Sequence, residues 1–194
     1  MNYSSPLQLT IFKNGIMKRI LLLIFLPGIF NLIFIACDDK DGDKNPGYGS
    51  VDLYLLDKYK TMDNSCQIDE ATVITKNKPL VAYSDLLLYD AGNHTFRISD
   101  AARESVQNLQ HSVFGIAFAI KANGVIVYTG YFWPGYSSAS CNWVIIDPLS
   151  LYSGNNLRVQ LGYPGPIEGQ VVPDKRNDKR ILDIFASDNK LINF

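Results

Sequence analysis

Tyr131-Phe132-Trp133-Pro134-Gly135-Tyr136-Ser137-Ser138-Ala139-Ser140-Cys141-Asn142-Trp143 is the stretch richest in groups able to hold a ligand. Five of its thirteen residues are aromatic, and both tryptophans of the chain lie in it. Pro134-Gly135 and the three serines make its middle a loop. Aromatic rings on a loop stack on sugar faces or anchor a protein partner. Ser137, Ser138 and Asn142 are the polar groups that would fix a ligand's orientation. In the competing reading, the strand-end aromatics only cover the edge of a core. Alternation along a strand ending near Phe132 sends Tyr131 and Trp133 to one face and Phe132 to the other. The expectation is that Phe132 closes the core while Tyr131, Trp133 and Tyr136 form an outer platform for a ligand or partner.

Acid–base chemistry has weaker support. The chain has two histidines, His94 and His111, each at a turn or junction where a local hydrogen bond accounts for it. Asp85, Asp90 and Asp147 are the carboxylates available to pair in a hydrolase, but Asp is common at strand ends and turns. There is no Gly-x-Ser-x-Gly elbow, His-Glu-x-x-His, phosphate loop or dinucleotide fingerprint. Without a Cys-x-x-Cys pair, two histidines make a metal site unexpected. The reading is a non-enzymatic domain with no cofactor.

Charge narrows the partners. The chain carries 18 Lys and Arg against 19 Asp and Glu. Five of the former and four of the latter precede residue 48, which leaves 13 against 15 in residues 48–194. A net charge near −2 argues against nucleic acid, whose phosphates need a basic surface. Asp174-Lys175-Arg176-Asn177-Asp178-Lys179-Arg180 is a mixed run that reads as a solvated loop and first helical turn.

Residues 48–194 have the length of one domain with its own core. Val51–Leu55, Ala71–Thr75 and Leu80–Tyr83 read as strands. Leu86–Tyr89 and His94–Ile98 flank Asp90-Ala91-Gly92-Asn93, a hairpin signal. Ser99 reads as the cap of a helix over 100–110. Val113–Lys121 and Val125–Phe132 are apolar enough to be central strands buried on both faces, joined at Asn123-Gly124. Trp143–Ile146 and Leu157–Leu161 complete the strands, and Asp178 caps a last helix with Ile181, Leu182, Phe185 and Ala186 inward. The class is α+β, a mainly antiparallel sheet with one or two helices.

The front of the chain is of another kind. Met17-Lys18-Arg19 is a short basic start, and Ile20 to Ala36 is an uncharged run rich in Leu, Ile and Phe. That is the layout of a secretory signal over residues 1–36, with Met17 as the expected start and 1–16 ahead of it. Phe34-Ile35-Ala36-Cys37 resembles the lipobox of bacterial lipoproteins, with Phe34 where a Leu is usual. The resemblance implies that the peptide is cut before Cys37 and that Cys37 becomes an acylated (palmitate-type) first residue. The alternative is an uncleaved anchor helix with an incidental cysteine. Each buried lipid CH₂ adds about 0.8 kcal/mol, so several acyl chains on one cysteine anchor firmly. Residues 37–47, with Asp38, Asp39, Asp41 and Asp43, read as a flexible acidic tether. Acidic residues after such a cysteine resemble surface-export signals in some Gram-negative bacteria and inner-membrane retention signals in others.

With Cys37 acylated, Cys66 and Cys141 remain. In an oxidising compartment they read as one disulfide, the alternative being two buried thiols. Taken together, the expectation is an outer-membrane lipoprotein of a Gram-negative envelope, periplasmic or surface-exposed. Its partners are the membrane, through the lipid, and a glycan or envelope protein at Tyr131, Trp133, Tyr136, Ser137 and Asn142. The alternative is an accessory or structural subunit that packs on an envelope complex through a sheet edge.

Overall fold

Asn123-Gly124 does what its type predicts. Both residues have positive φ, 51° and 78°, the geometry of the tight hairpin turn that follows strand twist. It joins β5 (Ile116–Ala122) to β6 (Val125–Phe132). The computed structural model describes residues 49–63 and 65–192. The signal region, Cys37 and the tether lie outside the described residues.

The other strands are β1 (Val51–Lys58), β2 (Ile74–Thr75), β3 (Leu86–Asp90), β4 (Thr95–Ile98), β7 (Cys141–Ile146), β8 (Asn156–Tyr163) and β9 (Leu191–Ile192). All nine join one sheet in the order β2-β1-β5-β6-β7-β8-β4-β3-β9. The β6–β7 and β3–β9 pairings are parallel and the remainder antiparallel. Helices α1 (Asp100–Gln107) and α2 (Lys179–Ser187) complete an α+β fold. No helix among the described residues is long and apolar enough to cross a membrane.

Both helix starts are capped as their sequences predict. Ser99 Oγ accepts from the Ala102 N–H at 3.1 Å and donates to Asp85 at 2.6 Å. The Asp178 carboxylate accepts from the Arg180 N–H at 3.0 Å. It also pairs with the Arg180 side chain, which holds it down at about 2. In the same charge run, a two-pronged bond from Arg176 brings Asp174 to about 2. Arg176 is then tied to the Val159 carbonyl. The run is therefore a loop and helix start fastened to β8.

Three expected strands differ. Ala71–Thr75 becomes a 3-10 turn, Glu70–Thr72, and the two-residue β2, because the Asp69 carboxylate caps the turn through the Ala71 N–H. Leu80–Tyr83 contributes only a bridge from Val81 to Leu53 before another 3-10 turn, Tyr83–Asp85. Val113–Gly115 turns rather than extends, with Gly115 at φ 75°.

Register sorts the side chains of the sheet into two faces. Leu53, Ile120 and Tyr128 are cross-strand partners, as are Phe132, Ile146 and Val159. This face holds the main core, and all six side chains are buried. Gly130 belongs to it, and a Cβ there would lie 2.7 Å from the Phe118 ring and 2.6 Å from the Val144 carbonyl oxygen. The missing side chain is what lets Phe118 lie across β6. Phe185 of α2 covers the same face over β3 and β4, with ring centroids 5.6 Å from Tyr89 and 5.8 Å from Phe96.

The second face of β1, β5 and β6 presents Tyr54, Ala119 and Thr129 in one row and Ala117 and Tyr131 in the next. Residues 59–63 and 65–68 lie against it. Tyr59 meets Tyr131 edge-on at 6.1 Å, and Ile68 is buried. Cys66 is joined to Cys141 at the start of β7, with a Cα–Cα separation of 5.6 Å. The central strands are covered on both faces, as their apolar runs predict.

Candidate functional site

The aromatic stretch points largely inward. Tyr131 is 4% exposed and Trp133 3%. Their rings meet edge-on at 5.9 Å, and Tyr163 lies 6.4 Å from Trp133. The Trp133 N–H continues the ladder by donating to Ile146 at 2.8 Å. Trp143 is also buried and donates its indole N–H to Thr129 Oγ1 at 3.1 Å. The expected outer platform of Tyr131 and Trp133 is thus corrected. Alternation does send them to the face opposite Phe132, but Tyr59, on the segment tied down by the disulfide, covers Tyr131 there, and Tyr163 and the chain at Gly115 close over Trp133.

The polar residues assigned to ligand contact bond within the fold. Ser137 is buried and donates to the Val113 carbonyl at 2.7 Å. Asn142 Oδ1 accepts from Ser65 Oγ at 3.0 Å. Of the five expected contact residues only Tyr136, 58% exposed, stands clear in solvent. The Ser137–Val113 bond sets its loop beside Val113 and Phe114, and Phe114 is 69% exposed. Gly115 explains that exposure. A Cβ there would lie 2.8 Å from the Trp133 ring, so the chain passes tightly over Trp133 and turns Phe114 outward.

The titratable candidates each have a local partner. His94 Nδ1 lies 3.3 Å from Asn177 Oδ1, and His111 Nε2 donates to the Val106 carbonyl at 3.2 Å. Asp85 accepts from Ser99, and Asp147 accepts from the Gly135 and Leu149 N–H groups. Asp90 accepts from the Asn93 side chain and N–H, which lower its pKa. Caps and turns account for all three carboxylates.

A different surface has the shape of a binding site. On β8 and β4 the core-facing residues Leu157 and Phe96 alternate with Asn156, Arg158, Thr95 and Arg97. Arg97 is opposite Asn156, and Arg158 is opposite Thr95. Leu88 and Asp90 on β3 extend the same face, as does Ile192 on β9. Ser150 and Ser153, from the 3-10 turn Pro148–Tyr152 and its end, wall one side. The result is an open concavity of about 570 Å³. That lies within the roughly 300–1,000 Å³ usual for ligand sites.

Its electrostatics are unbalanced. Arg97 and Arg158 are diagonal neighbours on one face, a spacing of roughly 7–8 Å that long side chains reach across. Neither is among the ion pairs of the described residues. Asp90, the carboxylate of the concavity, is occupied by Asn93. Two cationic forks therefore face the cavity with no ion-pair partner among the described residues. The period-2 pattern Thr95-Phe96-Arg97-Ile98 and Asn156-Leu157-Arg158-Val159 carries this signal in the sequence. Its meaning depends on pairing two strands some sixty residues apart.

The fold and this concavity define an α+β domain with an open, arginine-bearing sheet face. No family model matches the chain, and no curated protein or solved structure matches it.

Proposed function

We propose that this chain is a lipoprotein of a Gram-negative cell envelope, carried on acylated Cys37, with a non-enzymatic domain that binds a glycan. The observation behind the binding half is the open concavity of β8, β4 and β3, with its unpaired Arg97 and Arg158. The anchor half rests on the basic start, the apolar run and Phe34-Ile35-Ala36-Cys37. Cys37→Ser should abolish palmitate labelling and release the protein from the outer-membrane fraction. Retention there at unchanged mass would remove the anchor.

The binding half has its own test. Asn156 is exposed and lines the concavity. Asn156→Trp should obstruct the concavity and leave the melting temperature unchanged. On a glycan array, the wild type should retain oligosaccharides that the variant does not. Equal binding by both proteins would exclude the concavity as the contact face.

A second reading, an accessory subunit contacting an envelope protein, is favoured by one observation. Phe114 and Tyr136 project from adjacent loops at one end of the sheet. Sheet-edge packing has less support, since the edges are the two-residue strands β2 and β9. Edges this short offer little backbone for strand addition.

A further inference from the structure

We infer that Arg97 and Arg158 together seat the carboxylate of an acidic sugar. This rests on the reading of the concavity as the binding face and specifies its ligand. The register places both guanidinium groups on one face of adjacent strands, one diagonal step apart. Like charges so placed repel, and no described carboxylate is paired with either. An anion bridging them removes that repulsion. The planar guanidinium fork matches a carboxylate in a two-pronged geometry that an ammonium group does not offer.

The remainder of the lining selects a sugar rather than a bare or multiply charged anion. Asp90 stands in the same concavity, partnered with Thr95 across the strand pair. Its charge opposes a phosphate dianion more than a monoanionic carboxylate. The Ser153 hydroxyl and the Asn156 amide suit sugar hydroxyls. Neither Ser153 nor Asn156 has a side-chain hydrogen bond within the described residues, so both stand ready for a ligand. Leu88 and Ile192 give a small apolar floor for a ring face.

The test is calorimetric titration of the full chain in detergent micelles. The probes are trigalacturonate, a hyaluronan tetrasaccharide and sialyllactose, each beside its methyl ester, with inorganic phosphate and sulfate as separate arms. At least one acid form should bind, and its ester should bind about tenfold or more weakly. Arg97→Ala and Arg158→Ala should each weaken acid binding about tenfold, without a change in melting temperature, because both side chains are exposed. Arg97→Lys/Arg158→Lys, which keeps the charge but loses the fork, should fall between wild type and the double alanine variant. Esters binding as tightly as acids, in a manner blocked by Asn156→Trp, would overturn the carboxylate seat and leave the concavity as a neutral glycan site. Phosphate or sulfate binding as tightly as the acid sugars would reduce it to a simple anion site. Failure of all three acids to bind would also overturn it.

Discussion

Trp133→Ala should destabilise the domain by about 3 kcal/mol or more, rather than leave it folded and unable to bind. Truncating a buried Trp or Phe to Ala typically costs about 3–5 kcal/mol through lost transfer energy and an unfilled cavity. Trp133 is buried against Tyr131, Tyr163 and the backbone at Gly115. Its indole N–H is buried without a partner, so removing it relieves a small penalty and sets the expected value at the lower end. Trp133→Phe should cost less, since it keeps most of the contact. Urea unfolding followed by circular dichroism reads the change as a shift in midpoint at constant slope. A fully stable Trp133→Ala that has lost all binding would restore the outer platform and move the contact face back to this loop.

Removing the disulfide should have an effect of the same order. Cys66 and Cys141 are 75 positions apart. Closing a loop of that length in the unfolded chain is worth up to about 4.5 kcal/mol on the chain-entropy model, and native strain reduces it. The Cys66→Ser/Cys141→Ser variant should therefore lose about 2–4 kcal/mol. The loss should be felt first where the bridge acts, on the 59–68 segment over the second face of β6. Tyr59 would leave Tyr131, and the small residues Ala117 and Ala119 beneath would gain access to water. Hydrogen exchange should rise at β6 and β7 before it rises at β3 and β4. Intact mass before and after reduction checks the bridge itself. Two thiols alkylated without reductant would contradict it.

These two expectations show where the sequence could be read and where it could not. Ser99 and Asp178 as helix caps, and Asn123-Gly124 as a hairpin turn, were legible because each signal is complete within a few residues. The class of the fold followed from the same local patterns. The aromatic stretch misled for a physical reason. Alternation says which side of a strand Tyr131 and Trp133 occupy, but not whether another segment covers that side. The segment over Tyr131, residues 59–63 and 65–68, carries no strong pattern of its own and is placed by long-range contacts, the disulfide among them. The concavity was hidden for the same reason. Arg97 and Arg158 look like ordinary solvent-facing residues until β4 and β8 are paired in register. The parallel pairing of β6 with β7 and the short strand β9 likewise have no local signature.

The proposed ligand should meet the concave face of β8, β4 and β3. Amide chemical-shift mapping of the full chain, titrated with trigalacturonate, tests it most directly. Shifts are expected at Leu88 to Arg97 and at Ser150 to Arg158, absent in the Arg97→Ala/Arg158→Ala variant. Shifts at Val113, Phe114 and Tyr136 to Ser140, with the concave face unmoved, would contradict it.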